Sequence, residues 1–490
     1  MSLPSTSALL APPLGDMPPE EFRRYGHQLV DWIADFLANL DAHPVLPAIK
    51  PGDLRAQLPP APPQTGEAMH DILAEVDRLI MPAMTHWNHP NFFAYFSTSS
   101  SGPGILGDML SAAFNVNGML WKSCPAATEL EQVTLDWLRQ MLGLPKEFWG
   151  IIYDTASIST MHGLAAAREQ LADLELREHG MAGRKEVPRL RLYASEHAHS
   201  SIDKSVLTLG LGQAGVRKIA TDEQFRMQPE ALQRAWNEDR AAGWRPFCVV
   251  ASVGTTSVSS IDPVPAIAEI CERESLWLHV DAAYGGSPAV VPEMRWVLAG
   301  CERADSLVVN PHKWLFVPVD LSAFYTRKPE VLRRAFSLVA EYLRTAQDSE
   351  AENFMDYGLQ LGRRFRALKL WFVLRYFGAE GIAGRIREHL RLAQQLAGWI
   401  DAHPDFERMA PTPLSLVCFR AHPAHIQNEE ALNQLNEKLL EAVNATREVF
   451  LSHTKLNERY TLRCAIGNIH TEERHVRRMW EIVQQQFARL

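Results

Sequence analysis

Three short apolar runs, Phe247 to Val253, Leu276 to Val280 and Ser306 to Val309, recur about thirty residues apart and restrict the fold more than any other feature. Each has the length of a strand, and Val264 to Glu274 between the first two has the apolar spacing of a helix. Leu190 to Ser195 and Leu321 to Tyr325 extend the series on either side. Strand, crossover helix and strand in this cadence predict an α/β chain with a mostly parallel sheet. In such sheets ligands gather at the carboxyl ends of the strands, and Asp281 and Lys313 both fall there.

The rest of the chain reads as layers added to that sheet. Pro18 to Leu40 has helical spacing, Pro44 to Pro63 is punctuated by seven prolines, and Glu67 to Ile80 reads as a second helix. These pieces have no evident core and must lie on the rest of the chain or on a second subunit. Ala127 to Leu142 is an amphipathic helix closed by Gly143. Helical stretches at Pro329 to Phe336, Gly362 to Phe377 and Gly378 to His403 lead to a C-terminal α/β region with strands near Leu414–Phe419 and Tyr460–Ile466. The expected division is 1–100, an N-terminal helical and extended segment; 101–377, a large α/β domain; and 378–490, a small α/β domain. A net charge of −9 without a Lys/Arg block argues against a nucleic-acid surface. Six cysteines without a CxxC pair point to buried thiols in a reducing compartment. With no signal-like N-terminus and no run approaching about 20 apolar residues, no membrane association is expected and the cytoplasm is the expected location.

Lys313 lies in Asn310-Pro-His-Lys-Trp-Leu315, where Pro311 enforces a turn and the apolar neighbours desolvate the amine. Asp281 ends Leu276-Trp-Leu-His-Val-Asp, where a carboxylate needs either a structural arginine or a cationic ligand. A Schiff-base lysine and an acidic partner for a pyridine nitrogen are what pyridoxal 5′-phosphate (PLP) requires of a protein. The small Ala282, Ala283, Gly285 and Gly286 let a flat ring approach. Lys204, in Ile-Asp-Lys-Ser, is the rival lysine, but its setting reads as an exposed helix start. His197-Ala-His199 has a metal-like spacing without a third ligand, and His199 stacked on an aromatic cofactor is the better reading. Thr155, Ala156 and Ser157 begin a helical stretch, either as simple caps or as an anion cradle. His312 is placed to contact phosphate or to handle protons. Trp87, Phe92, Phe93, Tyr95 and Phe96 are either core or the lining of a flat apolar pocket.

Taken together, HWNHPNFFAYFST, DTASISTMHGLAAARE, ASEHAHSSIDKS, HVDAAYGG, NPHKW and LGRRFRALKLW resemble the group II PLP-dependent decarboxylases, most closely the aromatic-L-amino-acid decarboxylases, from about Pro18 to the C-terminus. The resemblance implies PLP fold type I with a swapped N-terminal segment and a homodimer with shared active sites. It implies that Lys313 anchors PLP, Asp281 pairs with the ring nitrogen, and His199 stacks on the ring. Thr155, Ala156, Ser157, Asn310 and His312 would surround the phosphate, Thr256 would lie near the ring hydroxyl, and Ala283 would be among the cofactor-binding residues. Trp87, Tyr95, Thr98, Asn117, Met119, His199 and Gly362 would meet the substrate.

Tyr342 matches a mobile-loop tyrosine that protonates the substrate carbon in this family, and Glu341 to Gly358 reads as a closing lid. The implied reaction is decarboxylation of DOPA, tyrosine, phenylalanine, tryptophan or 5-hydroxytryptophan to the arylalkylamine. Related aldehyde synthases carry phenylalanine at the Tyr342 position. Ser97, Asn117 and Met119 depart from the family pattern and put the choice of substrate in question. Gly362 matches the glycine associated with indolic or broad specificity. The alternatives are a decarboxylase of a non-aromatic substrate such as glutamate, which needs a cation for the distal carboxylate, and a PLP-dependent aldehyde synthase.

Overall fold

The structure, a computed structural model, describes residues 15–338 and 351–490. Its centre is a seven-stranded sheet built from β1 (Trp149–Tyr153), β2 (Leu190–Ser195), β3 (Val216–Ile219), β4 (Arg245–Ser252), β5 (Trp277–Asp281), β6 (Ser306–Val309) and β7 (Ser322–Thr326). The order is β1-β7-β6-β5-β4-β2-β3, with parallel pairing from β6 to β3 and β7 antiparallel to both of its neighbours. Cys248, Val249, Val250 and Ala251 on β4 are fully buried because helices cover both faces of the sheet, which is why the run is apolar without alternation. This is the fold type I arrangement.

A second sheet follows the chain order β8 (Phe406–Arg408), β9 (Leu416–Ala421), β10 (Ser452–Leu456) and β11 (Arg459–Ala465). It is antiparallel throughout, in the order β10-β11-β9-β8. Its apolar face packs against residues such as Val443, Met479 and Val483 of the last two helices, Glu429–Ala445 and Glu473–Phe487. Between the sheets runs a helical stretch, Ala367–Asp401, broken at Gly378, which adopts φ 64°.

Three expectations need correction. The helix expected from Gly362 begins at Ala367, because Arg363 turns inward to a buried ion pair with Glu131 (2.6 Å) and to the Ile152 carbonyl. Of the stretch Glu341 to Gly358 expected as a closing lid, residues 341–350 lie outside the described residues, and the far end is core: Phe354, Met355, Asp356 and Tyr357 form a buried turn. The second N-terminal helix stops early, at Met69–Glu75, and passes into a π turn over Val76–Ile80. The sequence reading also missed β1, β3, β8 and β10, which are short, half-buried or charged along their length.

The N-terminal segment divides into two parts. Val45 is fully buried with Phe92, Ala94 and Phe450, and it exchanges backbone hydrogen bonds with Arg447 and His86. The first helix, α1 (Pro19–Ala38), buries no residue and leaves Phe22, Leu29 and Val30 exposed. A further helix, α2 (Gly102–Phe114), packs Gly104 and Gly107 against Pro318 and Lys369, where a Cβ would collide. Its other side exposes Leu106, Met109, Leu110 and Phe114.

Candidate active site

At the carboxyl ends of β4, β5 and β6 lies a cavity of about 220 Å³. It is lined by Thr155, Ala156, Ser157, His199, Thr256, Asp281, Ala283, Asn310, His312 and Lys313, ten residues that the sequence singled out for a cofactor. Phe96, Ser252, Gly254, Thr255 and Tyr284 complete the lining. Gly254 and Gly285 explain how the loops after β4 and β5 come so close. Gly254 adopts φ 85°, and a Cβ on Gly285 would lie 2.4 Å from the Val253 carbonyl oxygen.

Lys313 follows β6 in the short turn Pro311–Trp314, its backbone N–H donating to the Asn310 carbonyl. Protein surrounds the side chain, and the part that stays accessible faces the cavity. Among the described residues no carboxylate lies within ion-pair distance of its amine. Desolvation lowers its pKa, and the Asp281 charge opposes that shift. A neutral amine is a nucleophile, whereas an ammonium is not.

Asp281 at the end of β5 accepts the Ala283 N–H (3.1 Å) and keeps its remaining acceptor capacity toward the cavity. His199 accepts the Ser201 N–H at Nδ1 and lies 2.8 Å from the Ser201 hydroxyl, so the neutral ring carries its proton on Nε2. Burial lowers its pKa, with Asp281 opposing and Lys313 and Lys204 adding to the effect. His197 packs edge-on against Phe225, 5.3 Å between centroids.

His312 is pushed down to about 3, chiefly by burial. Its Nδ1 accepts the Leu321 N–H (2.9 Å), leaving a neutral ring with Nε2 protonated. Nε2 lies 3.3 Å from the Asn310 side-chain amide. The ring is therefore uncharged at neutral pH.

The helix Ala156–Glu169 points its N-terminus at the cavity. Thr155 occupies the cap position yet makes no capping bond with its side chain, whose hydroxyl donates to Asp154 Oδ1 at 3.3 Å, so the Ala156 and Ser157 N–H groups and the Ser157 hydroxyl remain for an anion. An amine, a carboxylate, an imidazole, an alanine and a phosphate-sized cradle in one cavity match the donor set that PLP needs.

Of the expected substrate residues that the structure describes, His199 lines this cavity and the others do not join it within one chain. Trp87 and Tyr95 stack on each other (5.8 Å) and lie half-exposed near Phe450. Asn117, Met119 and Gly362 form another group: Asn117 Oδ1 accepts the Arg363 N–H, its Nδ2 contacts Met119 Sδ, and Gly362 lies beside it. Thr98 is partly buried and Ser97 buried, and neither lines the cavity. Tyr342 lies outside the described residues.

The sequence reading also missed Arg463, and with it the existence of a buried cation near the aromatic loop. It sits on β11, 3% exposed, with its charge 5.6 Å from the Phe96 ring centroid. No local signal marks it, because it stands 368 positions from Tyr95, whose carbonyl it approaches.

Residues 51–422 match the model of the pyridoxal-dependent decarboxylase conserved domain. The chain is 39% identical over 487 residues to a phenylacetaldehyde synthase of Arabidopsis thaliana, covering 97% of this chain and 98% of that protein. It is also 39% identical over 485 residues to tyrosine decarboxylase 4 of Petroselinum crispum, covering 96% and 94%. The crystal structure of Oryza sativa TDC with PLP and tryptamine superimposes with a TM-score of 0.93 at 36% identity, covering 97% of this chain and 99% of that one.

Proposed function

Because the chain belongs to the pyridoxal-dependent decarboxylase family, we propose that it removes the carboxylate of an aromatic L-amino acid as CO2 and releases the arylalkylamine. One observation carries the reading: a desolvated, unpaired Lys313, the Asp281 carboxylate and the open helix N-terminus at Thr155–Ser157 share a single cavity. Bound PLP supplies an electron sink for the pair left behind when CO2 departs.

Lys313 holds the cofactor through its amine. Asp281 keeps the proton on the pyridine nitrogen, Ala283 and His199 lie against the ring, and Thr256 serves its hydroxyl. Thr155, Ala156, Ser157, Asn310 and His312 hold the phosphate. Tyr342 delivers a proton to the substrate Cα, and its hydroxyl favours the amine over the aldehyde.

Trp87, Tyr95, Thr98, Asn117, Met119 and Gly362 contact substrate in a homodimer, where one protomer completes the other's cavity. The exposed apolar faces of α1 and α2 support that assembly. The divisions at residues 100 and 377 and a cytoplasmic location belong to the same reading; no helix among the described residues is long and apolar enough to cross a membrane.

An acidic substrate would need a free cation. Arg463 does not provide one, since its guanidinium is committed to protein acceptors. A panel of DOPA, tyrosine, phenylalanine, tryptophan, 5-hydroxytryptophan, glutamate and histidine, with CO2, amine, aldehyde and peroxide measured in each reaction, tests the proposal. Equal yields of CO2 and amine from an aromatic member support it. Turnover of glutamate alone, or aldehyde with peroxide in place of amine, overturns it.

A further inference from the structure

Buried arginines are ordinarily paired with carboxylates, because an isolated guanidinium loses its hydration without compensation. Arg463 has no such partner among the described residues. Its Nε donates to the Ser257 carbonyl (3.0 Å), Nη1 to the Ser452 hydroxyl (2.7 Å), and Nη2 to the Thr256 carbonyl and, at 3.5 Å, toward the Tyr95 carbonyl. Four acceptors from three segments thus converge on one planar fork, the geometry for which arginine is suited and lysine is not.

Two of those segments carry the cavity wall. Thr256 lines the cavity, and its backbone carbonyl is bound by Arg463. Tyr95 precedes Phe96, another lining residue, and is held at φ 52°, a left-handed conformation that L-residues disfavour. Such strain persists only where the surroundings fix it. Here the Tyr95 N–H donates to Ser452 Oγ (3.1 Å), the same hydroxyl that Arg463 engages. Phe96 is then fixed between the guanidinium and the Tyr284 ring, which stacks on it at 3.7 Å.

We propose that Arg463 is a positioning residue that locks the Thr256–Ser257 loop and the Tyr95–Phe96 loop onto the C-terminal sheet and so sets the cavity wall that faces the cofactor. This rests on the PLP reading and extends it to a residue that touches neither cofactor nor substrate. Arg463 acts through backbone atoms, so its loss misplaces Thr256 and Phe96 while Lys313 and Asp281 stay in place.

The test uses the full-length enzyme and the variants Arg463→Lys, Arg463→Met and Ser452→Ala. Wild type first has to show the visible absorbance and visible circular dichroism of bound PLP; if it does not, the cofactor reading itself fails. In both Arg463 variants, visible dichroism should fall at unchanged far-ultraviolet dichroism. Titration of the cofactor-free protein with PLP should show affinity weakened about tenfold, the equivalent of one hydrogen bond. The rate constant kcat should drop about a hundredfold, as misplacement of wall groups by an ångström would produce, with little change in KM. Ser452→Ala keeps the cation and should move each readout in the same direction by less. Variants that lose thermal stability but retain wild-type dichroism, PLP affinity and kcat overturn the proposal. If both Arg463 variants fail to fold, Ser452→Ala decides alone, and wild-type dichroism and kcat in that variant overturn it.

Discussion

The floor and the wall of the cavity are built in opposite ways. Floor residues stand directly after the strands that present them: Asp281 ends β5, and Asn310, His312 and Lys313 follow β6. Wall residues come from a loop near residue 95, another near 256 and a strand near 463, joined by hydrogen bonds that span 206 to 368 positions. The parallel sheet delivers its site residues by topology, so each needs only its own strand to be right. The wall exists only when two sheets and a loop meet, so its chemistry depends on backbone placement more than on side-chain identity.

The largest expected effect lies on the floor. Lys313→Ala removes the amine proposed to hold PLP covalently, and activity should fall by about 10⁴-fold or more. Loss of the visible cofactor absorbance checks it; retention of that absorbance would sink the assignment. Asp281→Asn keeps the shape but not the charge, and should reduce kcat by about 10²–10³-fold, the scale of one electrostatic group acting on developing charge. Far-ultraviolet dichroism should stay as in wild type, because a local floor change does not disturb the wall. An equal loss of wall order, read as exposure of Phe96 and Tyr95 to quenchers, would break the contrast.

The same contrast governs what could be read from the sequence. NPHKW and HVDAAYGG identified the floor because strand, turn and functional side chain are contiguous. The anion cradle at Thr155–Ser157 needed one structural fact, that the Thr155 hydroxyl does not cap its own helix. Arg463 was illegible: in Tyr460-Thr-Leu-Arg-Cys it looks like an outward residue of an alternating strand, and only the packing of β11 against the 256–257 loop turns it inward. The buried far end of the expected lid went unseen for a related reason. Phe354 and Tyr357 pack with Trp149 of β1, a strand the sequence reading had missed, so their burial was hidden as well.

Between floor and wall stands His389. Its pKa is pushed down to about 4 by burial, so at neutral pH the ring is uncharged. In the unfolded chain a histidine takes up its proton near pH 6.5. The unfolded state therefore binds more protons than the native state between about pH 6.5 and 4. The stability this ring contributes is fully present above pH 6.5 and is lost as pH falls toward 4. Each such histidine adds a slope of about 1.4 kcal/mol per pH unit. His279, buried inside β5 and also pushed down to about 4 by burial, has the same sign. Denaturant unfolding measured from pH 7 to 5 should show wild type losing stability, and His389→Gln losing about one histidine's slope less. Equal slopes in the two proteins would mean that His389 does not stay neutral in the native state.

The smallest effect tests whether the two regions are coupled. Trp314, next to Lys313, donates its indole N–H to His389 Nδ1 at 2.9 Å, and His389 bonds in turn to the backbone of Asn468. The Asn468 amide holds the Trp87 and His89 carbonyls, 3.1 and 3.0 Å away, at the base of the aromatic loop. One buried hydrogen-bond chain thus runs from the lysine turn to the segment that carries Tyr95. Trp314→Phe preserves an aromatic ring beside Tyr284, whose stack with Trp314 is 4.6 Å between centroids, and removes only the donor and some volume. Leaving His389 Nδ1 without its donor should cost about 1–3 kcal/mol of unfolding free energy. If floor and wall are one cooperative unit, the loss appears as a single shifted transition, the same by tryptophan fluorescence and by the visible absorbance of the cofactor. If they are separate units, the aromatic loop loosens first and the two probes part, with the visible absorbance the later to change. Coincident transitions would therefore confine the floor–wall distinction to how the site is assembled and exclude it from how the protein melts.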